Sequence, residues 1–271
     1  MHFAVSGVVC PLWLPPLVAF FVALLVTPAG ISGAFLLLPF QISVLGFVTP
    51  AVTPTNLVYN IVAIPGGVYR YIRERRMDWS LAWSIIAGTA PGVIAGSVIR
   101  IRYLPDPRRV KLFVALVLLY LGVRLLRGVL ATVPTPEPGG HFDRWKLTVL
   151  ALVVGLIGGI YGVGGGAIIA PFAMTSVRLP ARVIAGPALL GTLVTSIVGL
   201  ASFEVLGRMS LSAGLAVRPD WTLGLLFGAG GMVGAYCGAR LQKRLPEKWI
   251  RFGLGLLVSA LAISYVVQFL R

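Results

Sequence analysis

The chain has 271 residues, of which 58% are hydrophobic and only 11% charged, yet its formal net charge is +15. No Asp, Glu, Lys or Arg occurs in residues 1–69, and further charge-free runs cover 79–99, 147–177, 183–203, 221–239 and 252–270. Runs of about 20 apolar residues match a bilayer crossing. They exclude an ordinary soluble domain and point to an all-α polytopic membrane protein, because helices satisfy their own backbone groups in lipid.

In chain order, the first apolar segment covers 12–47 and contains GISGAFLLLPF at 30–40. As one helix it would run roughly 54 Å, against a hydrocarbon core of about 30 Å. A break is therefore expected near 28–33. The N-terminus has no basic n-region and no obvious small-x-small cleavage site near the end of its first apolar run, so that run reads as a retained membrane segment. A second span at 51–72 carries Asn56 and Asn60, one helical turn apart, after Pro54. The third, 79–102, follows Asp78, an N-cap residue, and Trp79, a residue of the membrane interface. It contains a ladder of Gly88, Gly92 and Gly96. A fourth span covers 108–130, and VPTPEPGGHF at 133–142 has the composition of an extramembrane linker.

The second half repeats this order. GVGGGAIIAPF occupies 162–172 inside an apolar segment at 147–177. Gly30, Gly33, Pro39 and Phe40 each recur 132 positions later, as Gly162, Gly165, Pro171 and Phe172. The next span, 182–206, carries Thr192, Thr195 and Ser196 after Pro187, and Glu204 four residues before Arg208 suggests a helical ion pair. Asp220 and Trp221 then introduce 221–244 with a second ladder, Gly230, Gly234 and Gly238, and 249–270 closes the chain. Small residues at every fourth position let helix backbones approach closely, and packing is the expected role of both ladders. The organisation is thus a first repeat at 1–131, an extramembrane linker at 132–145 and a second repeat at 146–271, each with one glycine-broken segment and three transmembrane helices.

The basic residues cluster at 70–76, 100–111, 124–146, 178–182, 208–218 and 240–251, with Arg271 at the end. Such spacing reflects topology rather than a nucleic-acid face, and no nucleic-acid partner is expected. If each broken segment crosses twice or re-enters as a hairpin, the repeats are inverted, and 15 basic residues fall on one side against 8 on the other. If each makes a single crossing, the repeats are parallel and the division is 12 to 11. The positive-inside rule favours inversion.

A helix interrupted in hydrocarbon frees N–H and C=O groups, and persists only where protein or a watery cavity receives them. Transporters place such breaks in corresponding positions of inverted repeats, with half-helix N-termini facing an anion. Gly33 in the first break and Gly164, Gly165 and Gly166 in the second are candidates for backbone approach to a ligand; helix packing is the competing role. Asn56, Asn60, Thr192, Thr195 and Ser196 can donate hydrogen bonds to an oxyanion, with interhelical bonding as the alternative. Gln41 is a weaker candidate, and Arg70 and Arg182 could flank the entrance or simply set topology.

The repeated glycine motif, followed by aliphatics and proline, a second span and a glycine-laddered third, resembles the sulfite exporter TauE/SafE family, also called the 4-toluene sulfonate uptake permease family. GVGGGAIIAPF is close to its motif; GISGAFLLLPF is a weaker copy, with Ser32 and Ala34 where the second copy has glycine. The resemblance spans nearly the whole chain. It implies a secondary carrier, exporter or facilitator, of small sulfur-containing anions such as sulfite or sulfoacetate-like organosulfonates, in a prokaryotic inner membrane. An anion channel and a carrier of another small organic anion are the alternatives, and a homodimer is compatible with the class.

Enzyme readings fail on the residues. GVGGGA matches a dinucleotide fingerprint without its strand–helix–strand setting. GISG resembles the nucleophile motif of rhomboid proteases, but His2 and His141, the only histidines, lie outside the spans. No cofactor and no metal are expected, because two histidines and the isolated Cys10 and Cys237 make no ligand set.

Overall fold

The computed structural model describes residues 1–104, 107–130, 144–174, 179–208 and 218–270. The predicted linker at 132–145 lies almost wholly outside them. Helix α1 is Leu14–Val26, with proline in its first turn, where the missing N–H is harmless. A 3₁₀ turn, Thr27–Ala29, follows, and α2 is Ala34–Ser43. The remaining helices are α3 (Val52–Arg73), α4 (Trp79–Arg102), α5 (Pro107–Leu130), α6 (Arg144–Tyr161), α7 (Gly165–Phe172), α8 (Ala181–Arg208), α9 (Trp221–Leu241) and α10 (Glu247–Leu270). Helix α6 starts two residues before the predicted repeat boundary, taking Arg144 and Trp145 into its first turn. Among the described residues, α4, α8 and α9 are long and apolar enough to cross a membrane, by length and composition.

Both predicted breaks are present. The first spans 27–33, between α1 and α2; the second is 162–164, between α6 and α7. Asp78 and Asp220 cap their helices as expected: their side chains accept from Leu81 N at 2.9 Å and Leu223 N at 3.1 Å. Trp79 and Trp221 are exposed just inside those caps. Outward-facing Leu17, Phe21 and Leu25 on α1, Trp83 and Ile94 on α4, and Leu225 and Met232 on α9 leave an apolar exterior. Such a surface suits lipid, not water.

The glycine ladders do pack helices, and they share a register. A Cβ at Gly88, Gly92 or Gly96 of α4 would fall 2.3–2.5 Å from the carbonyl oxygens of Thr148, Leu152 and Leu156 on α6. A Cβ at Gly230, Gly234 or Gly238 of α9 would fall 1.9–2.8 Å from those of Pro16, Phe20 and Leu24 on α1. Residue order along each contact gives the directions. Helices α1, α3 and α9 run in one sense: Val58, Val62 and Arg70 meet Gly224, Gly228 and Tyr236 in turn. Helices α4, α6 and α8 run in the other, since Leu57, Asn60 and Tyr71 of α3 meet Gly199, Ser196 and Gly186 of α8.

The two ends of the bundle differ. At one end Arg76 and Glu74, just after α3, contact Gln242 and Lys243 after α9, and Gln242 reaches the Ala181 carbonyl that opens α8. At the other, Asp220 accepts from Ser6 Oγ at 2.8 Å, and its own N–H donates to Thr55. The 21 residues of α9 separate these ends by about 30 Å, the thickness of a hydrocarbon core.

The ladder contacts generate a stability test. Gly92→Val would drive a branched side chain into the Leu152 carbonyl and should cost at least about 1–3 kcal/mol, the range for overpacking. Gly253→Ala in α10, where no atom lies within 4 Å of the added Cβ, should leave the protein unharmed. Thermal unfolding midpoints in detergent compare the two.

Candidate functional site

The two breaks meet at one side chain. Asn60, midway along α3 and fully buried, accepts from Ser32 Oγ in the first break through its Oδ1. Its Nδ2 donates to the Val163 carbonyl in the second break at 2.9 Å and to Ser196 Oγ on α8 at 3.0 Å. Both amide protons and the amide oxygen are therefore used, and a single neutral group ties α3, α8 and both interruptions together.

Each break has its own local cause. Gly162 and Gly164 hold φ of +79° and +73°, a left-handed conformation in which glycine carries no Cβ penalty. The turn brings Gly164 and Gly165 back onto Gly158 of α6. The Gly165 N–H, an orphan at the start of α7, donates to Thr195 Oγ1 at 3.1 Å. In the first break Ser32 Oγ accepts from Ala34 N at 3.2 Å, capping α2 with a side chain where the second copy has a glycine. Pro39 removes the N–H that would answer the Phe35 carbonyl in α2. Tyr161 Oη, from the last residue of α6, supplies the missing donor at 2.8 Å.

The structure gathers most of the predicted site residues. Gly33, Asn60, Gly164, Gly165, Thr195 and Ser196 converge around the breaks. Asn56 sits one turn below, donating to Ala34 O at 2.9 Å and accepting from Gln41 Nε2 at 3.4 Å. Thr192 donates to Ala188 O within α8 and borders Gly164 and Gly166. The four glycines of the predicted site are close-packed. A Cβ at Gly33 would lie 2.1 Å from Tyr59 Oη, one at Gly165 2.6 Å from Thr89 Cβ, and one at Gly166 2.3 Å from Ala188 O. In the structure the asparagines bridge helices and the glycines permit backbone contact.

Sequence reasoning missed Ser32, Tyr161 and Tyr59 as members of this cluster. Ser32 interrupts the glycine pattern, and Tyr161 directly precedes the glycine run, so both carried a readable signal. It also missed Glu74. Its side chain, 6% exposed, is paired with Arg70, Arg76 and Lys243, the last at 3.0 Å. Burial pushes the Glu74 carboxyl up, but hydrogen bonds from Lys243 and Arg76 and the charges of Arg76 and Arg70 outweigh it and hold it below the usual carboxylate range. Arg70 also donates to Tyr236 Oη at 3.2 Å, so it belongs to this closed network. From the network Gln242 Nε2 donates to the Pro28 carbonyl, in the first break, at 2.6 Å. The predicted Glu204–Arg208 pair forms at 3.0 Å at the opposite end.

An all-helical protein with an apolar exterior and two polar-lined breaks facing each other is an integral membrane protein of transporter type. Its relatives agree. The chain is 26% identical over 247 residues to a protein of Xylella fastidiosa (strain 9a5c) named "Probable membrane transporter protein", covering 88% of each. It is 23% identical over 217 residues to "Probable membrane transporter protein YunE" of Bacillus subtilis (strain 168), covering 75% of this chain and 76% of that one. No solved structure matches. The family described as "Sulfite exporter TauE/SafE" matches residues 16–265, and the chain belongs to that family of membrane transporters.

The hub generates a second test. Asn60→Leu removes the acceptor of Ser32 Oγ and the donor to the Val163 carbonyl and Ser196 Oγ, whereas Asn56→Leu removes a donor to the Ala34 carbonyl inside α2 and the weak 3.4 Å acceptor of Gln41 Nε2. Each buried group left unpaired costs about 1–3 kcal/mol. Asn60→Leu should therefore lower the thermal midpoint more than Asn56→Leu, and equal effects would remove Asn60 from its central place.

Proposed function

We propose that the chain is a secondary carrier of small sulfur-containing anions, sulfite or an organosulfonate, working by alternating access about the Asn60 cluster. The observation that carries this reading is that one amide closes both breaks. Its donors, with Ser196 Oγ, Thr195 Oγ1 and the Gly165 N–H, are the kinds of group an oxyanion takes. A shift of α8 against α3 would release them together and let a bound anion replace the Val163 carbonyl as acceptor. For a monoanion leaving the cell, an inside-negative potential supplies about 2.3 kcal/mol per 100 mV, so no proton relay is required. The inner membrane of a prokaryote is the setting that fits this drive.

Alternating access rests on paired repeats of opposite orientation. Three observations support that arrangement here: α1 opposes α6, α3 opposes α8, and α4 opposes α9. The gathering of 70–76, Arg182 and 240–244 at one end of the bundle, away from Arg100 and Arg208, supports the inverted division of charge.

Two experiments test the proposal. In proteoliposomes, sulfite or sulfoacetate influx should saturate and should be accelerated by the same anion trapped inside. Unitary conductance steps would instead identify a channel, and no flux with any sulfur oxyanion would redirect the substrate class. For topology, reporter fusions in the loops at 70–76 and 208–218 should report opposite sides of the membrane. The same side for both would exclude inversion.

A further inference from the structure

Beside the Glu74 network, the turn between α3 and α4 and the start of α8 border an open cleft of about 610 Å³, lined by Arg75, Arg76, Met77, Asp78, Trp79, Arg182 and Val183. Three guanidinium groups face one carboxylate, and that carboxylate is already capping Leu81. Arg76 is committed to Glu74, Gln242 and the Ala239 carbonyl. Arg75 and Arg182 are exposed and have no ion-pair partner among the described residues.

The backbone at Arg75 adds a second observation. Helix α3 ends in a Schellman turn: Arg76 N donates to Tyr71 O and Arg75 N to Ile72 O, both at 2.9 Å. The position at its left-handed corner is one that glycine usually takes, yet here it is Arg75, with φ of +54°, unique among described non-glycine residues. A strained arginine at an unpartnered basic cleft invites a ligand for its side chain.

The floor and rim decide which ligand. Tyr71 and Met77 pack over Gly186 beneath the cleft, and Arg76 lies over the Tyr71 ring at 4.7 Å, so packed side chains separate it from the breaks. Its rim is apolar and exposed: Trp79, with Trp83 one turn along, Ile72 and Val183. Tryptophan beside arginine at the basic end of a helical bundle is the composition of a headgroup-level surface.

We infer that this cleft binds the phosphodiester of an anionic lipid, Arg75 and Arg182 holding its oxygens while Trp79 and Val183 meet the glycerol and upper acyl chain. An ordered lipid would then brace the α3–α4 turn against α8, next to the network that reaches the first break.

The test is a titration of purified wild-type protein in detergent with phosphatidylglycerol and with phosphatidylcholine, reading bound lipid by native mass spectrometry. Phosphatidylglycerol should bind in preference to phosphatidylcholine, and each arginine removed should weaken it about fivefold. Arg75→Gly is the informative variant, because it relieves the left-handed strain. Its thermal midpoint without lipid should not fall, while its phosphatidylglycerol affinity should. Arg182→Gln should give the same loss, and Arg75→Gly/Arg182→Gln roughly 25-fold. Arg73→Gln/Arg240→Gln, an equal charge removal at exposed positions of the same end, should retain wild-type affinity. If that control loses as much, the attraction is general surface charge and the site is refuted. A second arm adds inorganic sulfate or phosphate without lipid. Stabilisation by these ions, abolished by Arg75→Gly/Arg182→Gln, would overturn the lipid assignment in favour of a soluble oxyanion.

Discussion

A helix broken inside hydrocarbon exposes peptide groups that no water can reach, and each one left unpaired costs several kcal/mol. Side chains answer four of these groups. The Val163 carbonyl accepts a hydrogen bond from Asn60, the Phe35 carbonyl from Tyr161 and the Pro28 carbonyl from Gln242, and the Gly165 N–H donates to Thr195. These four bonds link α2, α3, α6, α7, α8 and the end of α9, so satisfying the breaks also dictates which helices are neighbours. Helix α3 must lie against α8 with Asn60 level with Ser196, and α9 must carry Gln242 to the mouth of the first break.

Close packing then fixes the remainder. The half-helices α1 and α6 are held by glycine ladders of α9 and α4, where backbone meets backbone and nothing larger fits. Tight ladders move as units, because a small displacement along them costs contact everywhere at once. The breaks, by contrast, are closed mainly by single side-chain hydrogen bonds, each worth about 0.5–1.5 kcal/mol net. Rigid pairs joined through such bonds are the physical ingredients of a molecule that rocks between two arrangements.

Much of this was legible in the sequence, for identifiable reasons. Charge-free runs gave the helices, the 132-residue offset gave the two breaks, and Asp-Trp pairs gave the starts of α4 and α9. The ladders announced close approach but not its partner, since a small residue records only that something is near. Asn56 and Asn60 stood out because polar groups are rare in apolar spans. Their acceptors did not, because two are backbone carbonyls, which every residue possesses. Ser32 was read as a defect in a glycine motif, although its hydroxyl does for α2 and Asn60 what a glycine cannot. Glu74 was hidden among basic neighbours, and only the fold brings Lys243 to it from 169 residues away.

On the proposed mechanism, an amide at the centre suits a site that must close as well as bind. A buried arginine would hold an oxyanion more strongly, but on its release would stand uncompensated in a low dielectric, or would require a carboxylate that repels the same anion. Asn60 carries no charge and has two donors and an acceptor. In the structure those donors serve a carbonyl and a serine; on the proposed mechanism, parting the breaks would offer the same donors to an anion. The absence of charged side chains from residues 1–69 fits that proposal as well as membrane compatibility. Among the described residues, the side chains that meet at the breaks are neutral, and the proposed mechanism needs groups whose partners can be exchanged.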